Sequence, residues 1–127
     1  MAKKQSIKKI LVVEDETFLV KIYSVKLKKE GYDVAIATDG EEAVATAPRF
    51  DPDLILLDLI LPKMSGFEVL AKLKANPATA KVPVIVLSNL GQSEDVERAK
   101  TLGAIDYLIK SNFSIQEVVE KIKSVLD

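Results

Sequence analysis

A doubly wound α/β domain built on a five-stranded parallel sheet is the architecture these 127 residues point to, and two observations carry that reading. Short apolar runs alternate with amphipathic helical stretches, the pattern of successive βαβ units. Four of those runs also end in a polar residue: Ile10-Leu11-Val12-Val13 in Glu14-Asp15, Leu54-Ile55-Leu56-Leu57 in Asp58, Val84-Ile85-Val86-Leu87 in Ser88, and Ala104 through Ile109 in Lys110. If the runs are neighbouring parallel strands, these side chains meet at the carboxyl edge of one sheet, where open α/β sheets bind ligands.

The elements follow in order. A first strand over Lys9–Val13 leads to a helix over Thr17–Glu30, in which Leu19, Ile22, Tyr23 and Leu27 recur at helical spacing and Gly31 supplies the stop. The second strand, Asp33–Ala37, is less apolar and reads as an edge. Asp39-Gly40 then opens a short helix carrying Ala43, Val44 and Ala47, closed by Pro48. The third strand, Leu54–Leu57, is apolar throughout and so buried on both faces. A loop over Leu61–Gly66 precedes a helix over Phe67–Ala75, stopped before Pro77.

The fourth strand is Val84–Leu87, followed by a helix from Ser93 through Leu102 that Gly103 ends. The fifth strand spans Ala104–Ile109. The last helix has Ser114 as N-cap with Glu117 three residues on, a capping box, and a core stripe of Ile115, Val118, Val119, Ile122, Val125 and Leu126. One domain over residues 1–127 accounts for the whole chain, with no repeat, linker or low-complexity tract.

Composition narrows the chemistry. A net charge of -1 gives no basic or acidic bias toward nucleic acid or an anionic membrane. No apolar stretch is long enough to span a bilayer. The opening Met1-Ala2-Lys3-Lys4-Gln5-Ser6 is basic but lacks the apolar core of a signal peptide, so the cytoplasm is the expected compartment. The chain has neither cysteine nor histidine. Thiol nucleophiles, thiolate zinc, Ser-His-Asp chemistry and any phosphohistidine of its own are therefore excluded.

What remains is carboxylates, a hydroxyl and an amine. Adjacent Glu14 and Asp15 repel after a buried strand, a cost that a hard divalent cation with oxygen preference removes. Taken singly, Asp15 reads equally as a helix cap. Asp58 behind four apolar residues faces the first strand's carboxylates. It can serve as a nucleophile forming an aspartyl phosphate when a cation and a lysine neutralise the phosphoryl oxygens. Lys110 is a compact point charge suited to that task, and Ser88 a hydrogen-bond donor. Alone, each is an ordinary strand-end residue. Their coincidence on four strands is the signal.

The order Val13-Glu14-Asp15-Glu16, then Leu57-Asp58 through Leu61-Pro62-Lys63-Met64-Ser65-Gly66, then Leu87-Ser88, then Tyr107-Leu108-Ile109-Lys110 resembles the receiver domain of two-component response regulators, over essentially the whole chain. The resemblance implies strand order 2-1-3-4-5, the flavodoxin-like arrangement with five helices. It implies Asp58 as phosphoacceptor, taking its phosphoryl group from the phosphohistidine of a sensor histidine kinase or phosphotransfer protein. It implies Mg²⁺ held by Asp15, Asp58 and the Ile60 backbone carbonyl, with Glu14 acting through water. Ser88 and Lys110 would bind phosphoryl oxygens, and Tyr107 would be the aromatic switch that turns inward when Ser88 moves.

On the same basis the chain is expected to be no conventional enzyme but a stand-alone phosphoacceptor switch that promotes its own phosphotransfer and slow dephosphorylation. Apolar Ile60 and Leu90 flank the path of the hydrolytic water and offer nothing to orient it. The expected protein partner binds the face of the fourth helix, fifth strand and fifth helix, including Lys100, Tyr107 and Lys121; the chain is expected as a monomer or weak phosphorylation-dependent dimer. Three positions depart from the commonest pattern. Glu14 stands for Asp, Asn89 stands for a small residue and narrows access, and Ser111 stands for a proline with a cis bond, which before serine would cost about 2.5–4 kcal/mol.

Competing readings are weaker. A flavin binder would need phosphate-binding hydroxyls and aromatics after the first strand, and the chain lacks Trp and such a loop. An aspartyl-phosphate phosphatase would carry a second carboxylate at position 60, which is Ile60. A phosphorylation-independent, receiver-like protein-binding scaffold is the remaining alternative.

Overall fold

The computed structural model describes residues 7–127; the basic segment Met1–Ser6 lies outside them. Its elements are β1 (Lys9–Val13), α1 (Thr17–Lys29), β2 (Asp33–Ala37), α2 (Gly40–Phe50), β3 (Leu54–Leu57), α3 (Gly66–Ala75), β4 (Val84–Ser88), α4 (Ser93–Thr101), β5 (Asp106–Ile109) and α5 (Ile115–Leu126), with a 3-10 turn at Lys110–Asn112. All strand pairings are parallel and the order is β2-β1-β3-β4-β5, so β2 is an edge as its weaker apolar pattern predicts.

Strand alternation divides the core in two. Leu11, Val13, Ile55, Leu57, Val84 and Val86 face α2, α3 and α4, where Ala43, Ala47, Val69, Leu70, Leu73 and Ala99 meet them. Ile10, Val12, Leu54, Leu56, Ile85, Leu87 and Leu108 face α1 and α5, against Tyr23, Leu27, Val118, Val119 and Ile122. β3 contributes to both layers, which is why it is apolar without interruption.

The structure corrects four local expectations. Pro48 does not close α2: it sits inside the helix, which continues to Phe50. The proline forfeits one backbone bond, but the Asp51 N–H reaches the Ala47 carbonyl and Asp51, at φ 55°, turns the chain out. β5 begins at Asp106 rather than Ala104, because the Ala104 N–H is spent on the Ala99 carbonyl at the end of α4. Val125 is exposed, one position off the α5 stripe. Ile22 is only half-buried, on an open side of α1 that also carries exposed Phe18 and Val25. The α5 capping box forms as expected, with Ser114 Oγ accepting from the Glu117 N–H at 3.1 Å and Glu117 accepting in return at 2.9 Å. Every peptide bond among the described residues is trans, including Lys110–Ser111.

Three surface carboxylates outside the site are held below their ordinary range. Asp39 accepts the Glu42 N–H, Glu30 is hydrogen-bonded to Lys123, and Glu117 accepts the Ser114 N–H. Since each folded-state value is depressed, each contributes stability that is present above the ordinary carboxylate range and lost as pH falls through it. The triple variant Asp39→Asn, Glu30→Gln, Glu117→Gln is expected to lose less melting temperature than the parent between about pH 5 and pH 3. Parallel curves in thermal melts would refute this.

Candidate functional site

Register builds the site. Val13 pairs with Leu57, the Asp58 N–H reaches the Val13 carbonyl at 3.0 Å, and the Glu14 N–H reaches the Ala37 carbonyl at 3.0 Å. Glu14 and Asp58 therefore leave adjacent strands at the same height. Alternation then assigns sides. Glu14 lies two residues past Val12, Asp58 two past Leu56, and Lys110 two past Leu108, so all three fall on the α1/α5 side of the sheet edge. Ser88 lies two past Val86, on the α3/α4 side, and Tyr107 pairs with Val86 on that same side.

The first trio is in direct contact. Lys110 Nζ donates to Glu14 Oε1 at 2.8 Å, to Asp58 Oδ2 at 2.8 Å and to Glu16 Oε2 at 2.7 Å. Asp58 and Glu14 are buried. The second Asp58 oxygen accepts the Ile60 N–H at 3.1 Å, and Glu14 Oε2 accepts the Glu16 N–H at 3.0 Å. Burial pushes Glu14 above its ordinary value, against the pull of the Lys110 bond, and the Asp58 charge adds to the rise. Burial pulls Lys110 down, but its bonds to Asp58, Glu14 and Glu16 outweigh that and hold the ammonium above its ordinary value.

The trio opens on a cleft of about 230 Å³ lined by Asp15, Glu16, Asp58, Ile60, Asn89 and Lys110. Asn89 is thus on the wall of the entrance. Asp15 is exposed on the same wall and makes no cap for α1, whose N-cap is Glu16 without a side-chain bond. The carboxylate oxygens that come within 4.8 Å of one another belong to Glu14, Glu16 and Asp58. An all-oxygen set of this kind, on a cleft that also carries Asp15 and Ile60, fits a hard divalent cation of the Mg²⁺ type.

Glu16 is the site residue that sequence reasoning gave no role. The available signal was the unbroken acidic triplet Glu14-Asp15-Glu16 ahead of α1. A contact to Lys110, 94 positions away, follows only once β1 and β5 share an edge direction.

On the other side, Ser88 is fully buried and its Oγ accepts the Leu90 N–H at 3.4 Å. The Tyr107 hydroxyl donates to the Leu90 carbonyl. Burial, with the charges of Asp95 and Asp58, pushes Tyr107 up to about 12, so that hydroxyl keeps its proton at neutral pH. Lys100 is exposed on α4, and exposed Lys121 of α5 pairs with Asp106 of β5 at 3.5 Å.

Comparison with known proteins agrees with this fold. The Synechocystis protein described as the DNA-binding dual master transcriptional regulator RpaA is 39% identical over 118 residues, covering 93% of this chain but 48% of its own length. The chain thus spans about half the length of the curated relatives it matches. The Vibrio cholerae chemotaxis protein CheY4 is 28% identical with a TM-score of 0.87, over 94% of this chain and 99% of that one. The receiver domain of the Pseudomonas aeruginosa sensor histidine kinase PA1611, solved with a magnesium ion in its active-site cleft, is 29% identical with a TM-score of 0.84, over 96% and 100%. A family model, the response regulator receiver domain, matches residues 10–123. With strand order, edge carboxylates and strand-end lysine all in place, the chain belongs to the response regulator receiver domain family.

Proposed function

We propose that this receiver accepts a phosphoryl group on Asp58 in a Mg²⁺-dependent reaction and thereby switches a protein-binding surface. The observation that carries the reading is the Asp58 carboxylate at the base of the cleft, with one oxygen on Lys110 and the other on the Ile60 N–H.

Membership of the receiver family supports a phosphohistidine of a sensor kinase or phosphotransfer protein as the donor. An Asp58 oxygen attacks phosphorus, the P–N bond breaks, and its electron pair leaves on the donor imidazole. The product is a mixed anhydride on Asp58. Asp15, Asp58 and the Ile60 carbonyl, with Glu14 through water, would hold Mg²⁺, which when bound spreads the charge of the transferring group. Lys110 neutralises one phosphoryl oxygen and Ser88 donates to another. We place the exchange in the cytoplasm.

Output passes through α4, β5 and α5. Ser88, Leu90 and Tyr107 are joined by successive hydrogen bonds, so a Ser88 drawn toward a phosphoryl oxygen disturbs the partner of the Tyr107 hydroxyl. The phosphoryl group would bias two arrangements of a face that includes Lys100, Tyr107 and Lys121. Ile60 on the cleft wall and half-buried Leu90 bring no polar side chain to orient water, which supports a long-lived phosphoryl group.

Intact-mass analysis after incubation with Mg²⁺ and acetyl phosphate tests the chemistry. The expected result is one phosphoryl adduct in the parent, none in Asp58→Asn, and none when the metal is chelated. Absence of an adduct in the parent would turn the reading to a phosphorylation-independent binding module.

A further inference from the structure

An ammonium group has three N–H donors. Lys110 spends all three on carboxylates, at 2.7–2.8 Å from Glu14, Glu16 and Asp58. A phosphoryl oxygen can be bound by Lys110 only if one of those bonds is given up.

The three partners are not equivalent. The Glu14 and Asp58 side chains are 4% and 5% exposed, and each also accepts a backbone N–H. Before the bond to phosphorus forms, releasing either from Lys110 would leave a desolvated carboxylate short of its counter-charge, which is costly. The Glu16 side chain is 57% exposed, and Lys110 is its sole hydrogen-bond partner among the described residues. Freed from Lys110, Glu16 turns into water and loses little, because its carboxylate is already largely solvated. Glu16 also lines the same cleft as Asp58 and Asn89, so its carboxylate stands where an incoming anion must reach Lys110.

We propose that Glu16 is an internal stand-in for the phosphoryl group: it occupies the third donor of Lys110 in the unphosphorylated protein, keeps the ammonium seated over Asp58, and is the partner displaced when the phosphoryl group arrives. Glu16 is in this account a positioning residue that acts through Lys110. It competes with the donor for that ammonium and so weakens phosphodonor binding in exchange for holding Lys110 in place. The proposal rests on the phosphoacceptor reading of Asp58.

The test uses Glu16→Gln, which keeps size but loses charge, and Glu16→Ala, which removes the contact. Phosphorylation rates are measured against acetyl phosphate concentration at saturating Mg²⁺. Binding of beryllofluoride, a phosphoryl mimic, is measured by calorimetry, and Mg²⁺ binding separately. Both variants should lower KM for acetyl phosphate and tighten beryllofluoride by about two- to fivefold, the worth of one exposed ion pair. The gain should fall on KM rather than on the saturating rate, and shrink as ionic strength rises.

Unchanged or raised KM in a parent that does form the adduct would overturn this inference alone. Mg²⁺ binding weakened by more than about tenfold, a loss of roughly 1.4 kcal/mol, would make Glu16 a metal ligand and overturn it as well. A parent that forms no adduct would remove the phosphoacceptor reading and this inference with it.

Discussion

Lys110→Met is expected to slow phosphoryl acceptance from acetyl phosphate by about a hundredfold to a thousandfold, the usual worth of one preorganised group facing charge that develops in the transition state. Methionine keeps most of the side-chain volume, so packing at the end of β5 is preserved and the loss is one of charge. The same change should lower stability at neutral pH by about 2–3 kcal/mol, because Glu14 and Asp58 are left buried without their shared ammonium. That figure is set somewhat below the 3–5 kcal/mol of a fully enclosed pair, since the cleft admits water beside Asp58.

Two features of the loss identify its cause. Glu14 already lies above its ordinary value through burial. Without Lys110 it rises further, so the stability gap between variant and parent should narrow as pH falls and Glu14 takes up a proton. Mg²⁺ should also narrow the gap, as a second source of positive charge among the carboxylates. Urea melts with and without Mg²⁺, at neutral and mildly acidic pH, measure both effects. A variant equal to the parent in every condition would show that Lys110 holds nothing together.

Gly66→Ala is the second large effect, and it acts on Asp58 from behind. A Cβ at position 66 would lie 2.4 Å from the Asp58 carbonyl oxygen and 2.4 Å from Leu59 Cα. Both are backbone atoms with no rotamer to yield. Gly66 also opens α3 and gives its N–H to the Leu59 carbonyl at 2.9 Å, so the helix cannot retreat without breaking that bond. The expected cost is about 3 kcal/mol, the upper end of overpacking penalties. Because the crowded atoms include the carbonyl of Asp58, the proposed phosphoacceptor, adduct yield should fall even where the variant is folded.

Gly31→Ala is the contrast. Nothing lies within 4 Å of a Cβ there, but φ is +98°, so the cost is backbone strain of about 1 kcal/mol and the adduct is unaffected. Denaturant melts beside intact-mass yields separate the two. Equal losses at Gly31 and Gly66 would mean the close approach to Asp58 is relieved elsewhere.

Much of this was legible in the chain before any coordinates. Four apolar runs with polar ends placed Glu14, Asp58, Ser88 and Lys110 at one sheet edge. In β1, β3 and β4 the reason is that a strand packed between two helical layers takes few polar side chains before its end, whereas β5, an edge strand with Asp106 inside it, carries the weaker signal. The Ser114 and Glu117 box worked as written, since a cap is decided by residues within one turn. Pro48 misled because a proline tells of one lost hydrogen bond, whereas the end of α2 was set by the left-handed turn at Asp51. Val125 misled because a half-buried helix stripe has an edge that spacing alone cannot locate.

The residue types available for chemistry, the absence of histidine and cysteine, and the alternation of strand and helix are properties of the chain taken alone. They restrict the reaction to carboxylate, hydroxyl and amine groups whatever the fold. The side of the sheet on which each group works is not such a property. It depends on register: Val13 opposite Leu57 brings Glu14 beside Asp58, and Leu87 opposite Leu108 brings Lys110 to both, while Ser88 and Tyr107 are turned to the α4 face. The three-carboxylate saturation of Lys110, with Glu16 as its one exposed partner, likewise exists only in three dimensions. The physical reason is range: caps and strand ends are set by neighbours a few residues away, whereas a contact between positions 16 and 110 is set by how two strands pair through the two that separate them.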